Sequence, residues 1–345
     1  MNNFFIKIKE SLKSFWKDPL YLRRWEEEWY SHPRDDNRLS VRISGRKKRK
    51  VYPYYGDSYM FVQDMYTGIM PFMHYRGERE KYPARTEPHS PEKQRIITNG
   101  ISEDRHEFFL EDALCDFVRT ATHVLFQDGV AFYEIIYKRK EDGTIESFRF
   151  ELLQPFYLFK FLGNYYQFVL WGEAKESHIK VQIIKIPEEK ILRVDFPKQL
   201  GGKRKIKQAL KRLWQVSREL IPKFQMKAME ENKNIGFDLE KFSKAKYLEI
   251  AELTKNFGWN QRQRSDDYIT EYYSMLRFLR EKKIEAIMRK EIISSLNKAL
   301  NGSLLNLGVS IIMENLFSVE DVKEQEKILK DGNVTFMDIF NALKI

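Results

Sequence analysis

Glu134 stands in the run VAFYEIIYKRK (130–140), four residues before Lys138. Side chains four apart on an extended strand share a face. A carboxylate and an ammonium would therefore sit side by side there, the beginnings of a metal-assisted phosphodiester-cleaving site. The charged outer edge of a hairpin has the same spacing and is the commoner reason for it. Asp266 and Asp267 form an acidic pair at the head of a long helical pattern. Carboxylates at that place also offset the positive end of a helix dipole. The histidines, at 32, 74, 89, 106, 123 and 178, are scattered without ligand spacing. No H-E-x-x-H, P-loop, EF-hand loop or cysteine pair occurs. His123 falls among the apolar positions of a helical pattern and reads as a packed histidine. Cys115, one place from the same stripe, reads as a buried thiol with no nucleophile-activating partner in view. No metal set and no cofactor is predicted.

The basic residues are more suggestive. Arg46, Lys47, Lys48, Arg49 and Lys50 are consecutive, and Lys203, Arg204 and Lys205 head the run KRKIKQALKR (203–212). Arg262 and Arg264 lie in GWNQRQRSDD (258–267), just before the longest helical pattern. Phosphate contacts demand positive charge and little else, so these ten residues are the candidate DNA-facing positions. A solvated charged surface is the commoner fate of such clusters. No paired aromatic platform of the RNA-recognition type stands near them.

The whole chain sets the frame for these sites. Its 345 residues, 42% hydrophobic, suffice for two or three structural units with buried cores. Aromatics make up 14%, far from the composition of a disordered chain. Lys and Arg number 60 against 50 Asp and Glu, a formal charge of +10 that favours a polyanionic neighbour. A single cysteine excludes an intramolecular disulfide framework and fits a reducing compartment. No apolar run approaches the ~20 residues of a membrane-spanning helix. The opening MNNFFIKIKESLKSF carries apolar residues at helical spacing with lysines between them. It reads as a helix docking on protein, with a membrane-surface helix as the second reading; it lacks the uninterrupted apolar core of a signal peptide.

Seven of the eleven prolines fall in residues 1–100, which makes that region the least regular, with an exposed linker at 83–95. Ser102 followed by Glu103 and Asp104 predicts a helix start. The stripe Leu110, Leu114, Phe117, Val118, Ala121, Leu125 predicts one buried face, ended by Gly129. Two strand-like runs, 130–140 and 144–153, flank an Asp-Gly turn and predict a hairpin. Further strands are expected at 156–162, 165–171, 178–186 and 190–196, in one antiparallel block. Beyond Gly201-Gly202 the chain reads as helical: 206–231 with a kink at Pro222, 237–257, 266–300, 303–316, 318–330 and 335–343. Ser318 with Asp321 three on resembles a capping box. The fold class is α+β. Four consecutive regions are expected: 1–100 irregular, 101–200 α+β, 201–300 long-helical, and 301–345 a small helical close.

Three segments together resemble the portal proteins of tailed bacteriophages. EDALCDFVRTATHVLFQDGVAFYEIIYKRKEDGTIESFRFELLQPFYL (111–158) is similar to the wing: a helix ending in Gly, a strand, a D-G turn, and a second strand running into Leu153-Gln154-Pro155. ILRVDFPKQLGGKRKIKQAL (191–210) resembles the strand and Gly-containing loop that launch the stem helix. EKILKDGNVTFMDIFNAL (326–343) resembles the closing element. The likeness covers about 105–345. It implies a wing-like sheet with stem-type helices, a ring of about twelve subunits at a capsid vertex, and a channel for packaging and ejecting double-stranded DNA. It further implies the terminase, the major capsid protein and a head–tail adaptor as partners, no membrane, no catalysis, and a place in the virion after assembly in the host cytoplasm. Long helices with apolar points on several sides agree with this, since neighbouring subunits would cover what one thin monomer leaves bare. Two other readings stay open: a cytoplasmic nucleic-acid-binding protein, and a metal-dependent nuclease using Glu134 or Asp266.

Overall fold

A computed structural model describes residues 38–40, 57–70, 82–102, 109–153, 158–171, 180–218, 239–259, 270–332 and 334–343. In chain order its elements begin with β1 (Arg38–Ser40), α1 (Asp57–Gly68), β2 (Ala84–Glu87), α2 (Pro91–Ile101) and α3 (Leu110–Asp128). The strands β3 (Val130–Arg139), β4 (Ile145–Leu153), β5 (Leu158–Phe161), β6 (Asn164–Trp171), β7 (Lys180–Pro187) and β8 (Ile191–Asp195) follow. The rest is α4 (Gly202–Arg218), α5 (Leu239–Leu253), α6 (Glu271–Leu300), β9 (Ser310–Met313), α7 (Val319–Asp331) and α8 (Phe336–Ala342). The fold is α+β, with helices and small antiparallel sheets. Two compact units interleave along the chain, Met1–Val51 with Leu152–Ile191 and Tyr52–Glu151 with Leu192–Ile345.

The first unit is organised on β6. β5 pairs antiparallel with its first half and β1 with its last three residues, while β7 runs its full length on the other edge. The β5–β6 hairpin turns through Leu162 and Gly163, both at positive φ (46° and 75°). That is the backbone of the tight turn whose twist matches its strands, with a leucine in a position glycine and asparagine favour. Tyr165 and Ile186, paired across β6 and β7, are buried, whereas Phe159 stacks on Tyr166 and stays partly exposed.

In the second unit α3 buries the predicted stripe and ends at Gly129, which is left-handed (φ 74°) and closes the helix through its N–H to the Leu125 carbonyl at 2.8 Å. The hairpin β3–β4 forms as expected. Lys140 N–H donates to Thr144 O, and the Asp142 carboxylate accepts from the Thr144 amide and hydroxyl. β8 joins the other side of β3, so the expected single block is two sheets: β4-β3-β8 here, and β5, β6 and β7 in the first unit.

Three expectations are corrected. Residues 83–95 are a strand and a helix start rather than a linker: Ser90 caps α2, Pro91 takes the first turn where a missing N–H costs nothing, and β2 pairs with β9. Ser102 ends α2, donating its N–H to Thr98 O, and α3 begins only at Leu110. Residues 303–316 contain no helix. Asn306 and Gly308 have positive φ, and Ser310–Met313 extends against β2. Asn297 of α6 holds the outer edge of β9, its side-chain amide donating to Ile311 O (3.0 Å) and accepting from Ile311 N–H (2.8 Å). The kink expected at Pro222 and the N-terminal helix lie outside the described residues.

α6 is the axis of this unit. Ile284 to Arg289, six residues in a row, are all buried, so every side of its middle is covered. The cover comes from α1, α3, β9 and α7 of the same chain. The expectation that its apolar faces exceed what one chain can enclose is therefore not met. A helix buried on all sides is a central helix, here with Glu285 and Arg289 among its enclosed residues. Its first turns join the closing elements in a cluster of Met275, Leu279, Val322, Leu329, Ile339 and Leu343. Capping boxes at Ser318–Asp321 and Thr335–Asp338 start α7 and α8.

Candidate nucleic-acid interface

The described part of the predicted DNA-facing set is Lys203, Arg204 and Lys205, all exposed at the start of α4. Arg46, Lys47, Lys48, Arg49, Lys50, Arg262 and Arg264, with Asp266 and Asp267, lie outside the described residues. The junction at Gly129 fixes where α4 begins. A Cβ there would fall 2.4 Å from Lys203 Cγ and 2.9 Å from Lys203 Cα, so the chain can pass this close only as glycine. Its carbonyl accepts the Phe196 N–H at 3.2 Å, and Phe196 packs edge-on against Phe126 of α3. The end of α3, the start of β3, the exit from β8 and the head of α4 thus meet at one residue.

Ile206, Leu210, Leu213 and Val216 are buried and seat α4 against α1, α3 and α5. The opposite side carries Arg204, Lys205, Gln208, Lys211, Arg212 and Gln215, all exposed. Lys211 and Arg212 repeat the Arg204-Lys205 pair seven residues later, two turns along the same face, and belong with them; that heptad spacing was the signal for it. No acidic residue occurs anywhere in GKRKIKQALKRLWQVSR. Among the described residues Arg204, Lys205, Lys211 and Arg212 form no ion pair. Cations in a first turn face the positive end of the dipole, an arrangement that works against helix stability. The local physics of the helix does not ask for them.

Lys138, the cation of the nuclease-like pairing, bridges to Glu146 across the hairpin at 2.8 Å, and both side chains are exposed. No cluster of three or more His, Cys, Asp or Glu placed to hold a metal occurs among the described residues. His123 is packed, 3.2 Å from the Gln127 amide and edge-on to Tyr66; burial depresses its pKa. Cys115 is a buried thiol.

Charged groups that the sequence reading passed over run through the interior beside α6. Fully buried Arg277 donates to the carbonyls of Ala251 (2.8 Å) and Trp259 and to Thr254 Oγ1 (3.1 Å), closing the C-terminal end of α5. Gly258 is the contact that permits this, since a Cβ would meet Arg277 O at 2.1 Å. Trp259 Nε1 donates in turn to Asp64 of α1 at 2.8 Å. Glu285 accepts twice from Lys282 (2.9 Å each), and Arg289 donates to Ile69 O and Phe317 O at 2.7 Å each while lying over the Phe317 ring. Burial lowers the Arg289 pKa to about 10 despite Glu285, and burial together with Glu285 raises that of Glu281 to about 8. These groups tie helices and loops of the second unit together.

No described helix is long and apolar enough to cross a membrane. No family model matches the chain, and no curated protein is similar to it in sequence.

Proposed function

We propose that the chain is the subunit of a portal-like ring at a capsid vertex, forming the passage through which double-stranded DNA is packaged and ejected. The observation that carries this reading is the junction at Gly129. The two segments on which the resemblance rests most, 111–158 and 191–210, come together there as helix, hairpin, returning strand and launched helix. The closing α7–Gly332–α8 step, with Gly332 left-handed, follows the same order. On this reading the terminase, the major capsid protein and a head–tail adaptor are the partners, the protein acts without catalysis, and it is carried in the virion after assembly in the host cytoplasm. Subunit contacts come from exposed apolar side chains, among them Tyr59, Met60, Tyr272 and Met337 of one unit and Phe161 and Ile183 of the other, rather than from the enclosed middle of α6. The test is size: light scattering and negative-stain images of purified protein are expected to show closed rings of about a dozen subunits. A solitary 41.5 kDa particle at every concentration overturns it.

The basic face of α4 favours a second reading, a monomeric or dimeric nucleic-acid-binding protein of the cytoplasm. It shares the DNA contact and lacks the ring, so the same measurement separates the two.

A further inference from the structure

We infer that the outer face of α4 is a sequence-independent binding surface for the phosphate backbone of duplex nucleic acid, with Arg204, Lys205, Lys211 and Arg212 as its phosphate-contacting residues and Gln208 and Gln215 as neutral donors between them. The inference stands on α4 alone and holds whether or not the chain closes into a ring.

Three features point to phosphate. The face is continuous: six exposed positions, four of them cationic and two amide, with no carboxylate in the helix to compete. The two cationic pairs are seven residues apart, about 10 Å along the axis, so both can reach one backbone at once. The pairs are also unrepaid among the described residues, where those four side chains make no ion pair, and the first of them opposes the helix dipole. Phosphate contacts are made by just such Arg, Lys and Gln donors.

The alternatives fit less well. An acidic protein partner would bury a core of aromatic or aliphatic anchors in which lysine is depleted, and this face offers no apolar side chain. Single strands are gripped by stacking bases on aromatic rings. Trp214, the aromatic of α4, is half-buried and lies off the outer face. A duplex needs only the charge.

The experiment is fluorescence anisotropy of the full chain with a labelled ~30-base-pair duplex of arbitrary sequence, from 50 to 200 mM salt. Wild type is expected to bind and to weaken steeply with salt, and a second duplex of unrelated sequence is expected to behave alike. Removing four phosphate contacts, in R204Q/K205Q/K211Q/R212Q, should flatten the log–log salt slope by about 3 to 4, equivalent to roughly a hundredfold less salt-induced weakening over that range. The charge-keeping R204K/K205R/K211R/R212K should bind within a fewfold of wild type, which separates lost charge from lost fold. K323Q/K327Q/K330Q, which removes exposed lysines from α7, should leave binding unchanged. Equal binding by the α4 charge-removal variant, or no duplex binding by wild type at 50 mM salt, overturns the inference. Displacement of the duplex by polyglutamate at equal charge concentration would assign the face to an acidic protein and overturns it too. Light scattering on the same samples reports the ring separately: DNA binding without rings sinks the portal reading and leaves this one standing.

Discussion

Glu281 and Glu285 occupy successive turns on one side of α6, and Asp64 of α1 adds a third negative charge to their surroundings. Lys282 and Arg277 counter them, yet burial wins at Glu281 and its carboxyl keeps its proton up to a pKa of about 8, against 4.5 in an unfolded chain. The folded state therefore holds a proton that the unfolded state releases. The resulting stabilisation is full below about pH 4.5 and is lost as the pH rises through about 8. Glu281→Gln, neutral at every pH, should remove this dependence. In urea unfolding followed from pH 5 to pH 9, wild type should lose on the order of 2–4 kcal/mol relative to the variant. Parallel pH profiles would mean that the carboxyl is already ionised in the native protein. None of this is legible in FLREKKIEAIMRKE, which looks like a solvated stretch of alternating charge. Only the packing of α1, α5 and the 317 loop around it turns Arg277, Glu285 and Arg289 inward, where each charge has to find a carbonyl or a counter-ion.

At the scale of elements, what the sequence made legible is what neighbouring residues decide. The α3 stripe, the Gly129 stop, the Asp-Gly hairpin and the Ser318 capping box each depend on residues within a turn or two of one another, and each formed. Ser102 misled because a serine's preference for helix ends does not say which end. Its N–H closes the helix that Pro91 begins. β9 was illegible for a different reason. Ser310–Met313 is held by β2, more than 200 residues earlier, and on its other edge by Asn297, so its strand conformation is imposed from a distance on a segment whose apolar content also suits a helix. The role of Asn297 is testable. Asn297→Ala leaves the Ile311 N–H and carbonyl without these partners, which costs about 1–3 kcal/mol. Hydrogen exchange at Ile311 should quicken while the Glu111-bound amide of Ala84 in β2 stays protected. Unchanged exchange at Ile311 would show that β2 alone holds the strand.

For the whole molecule, the enclosure of α6 changes how a ring would have to be built. A subunit whose central helix needed its neighbours would have no stable folded monomer, and its stability would rise and fall with protein concentration. Here six consecutive α6 residues are covered by helices and a strand of the same chain, and the closing cluster of Met275, Leu279, Val322, Leu329, Ile339 and Leu343 is likewise internal. A ring would therefore have to join subunits that have already folded. The apolar points on several sides of α6 record burial inside one chain, because such points do not say whose atoms cover them. The consequence can be measured by diluting the protein until light scattering reports single subunits and following hydrogen exchange across Ile284–Arg289. Protection there should match that of the concentrated sample, and the unfolding midpoint should move by no more than about 1 °C, which in a chain of 345 residues corresponds to less than about 1 kcal/mol. If protection of α6 collapses on dilution, its cover comes from other subunits, and that packing belongs to the assembly rather than to the chain.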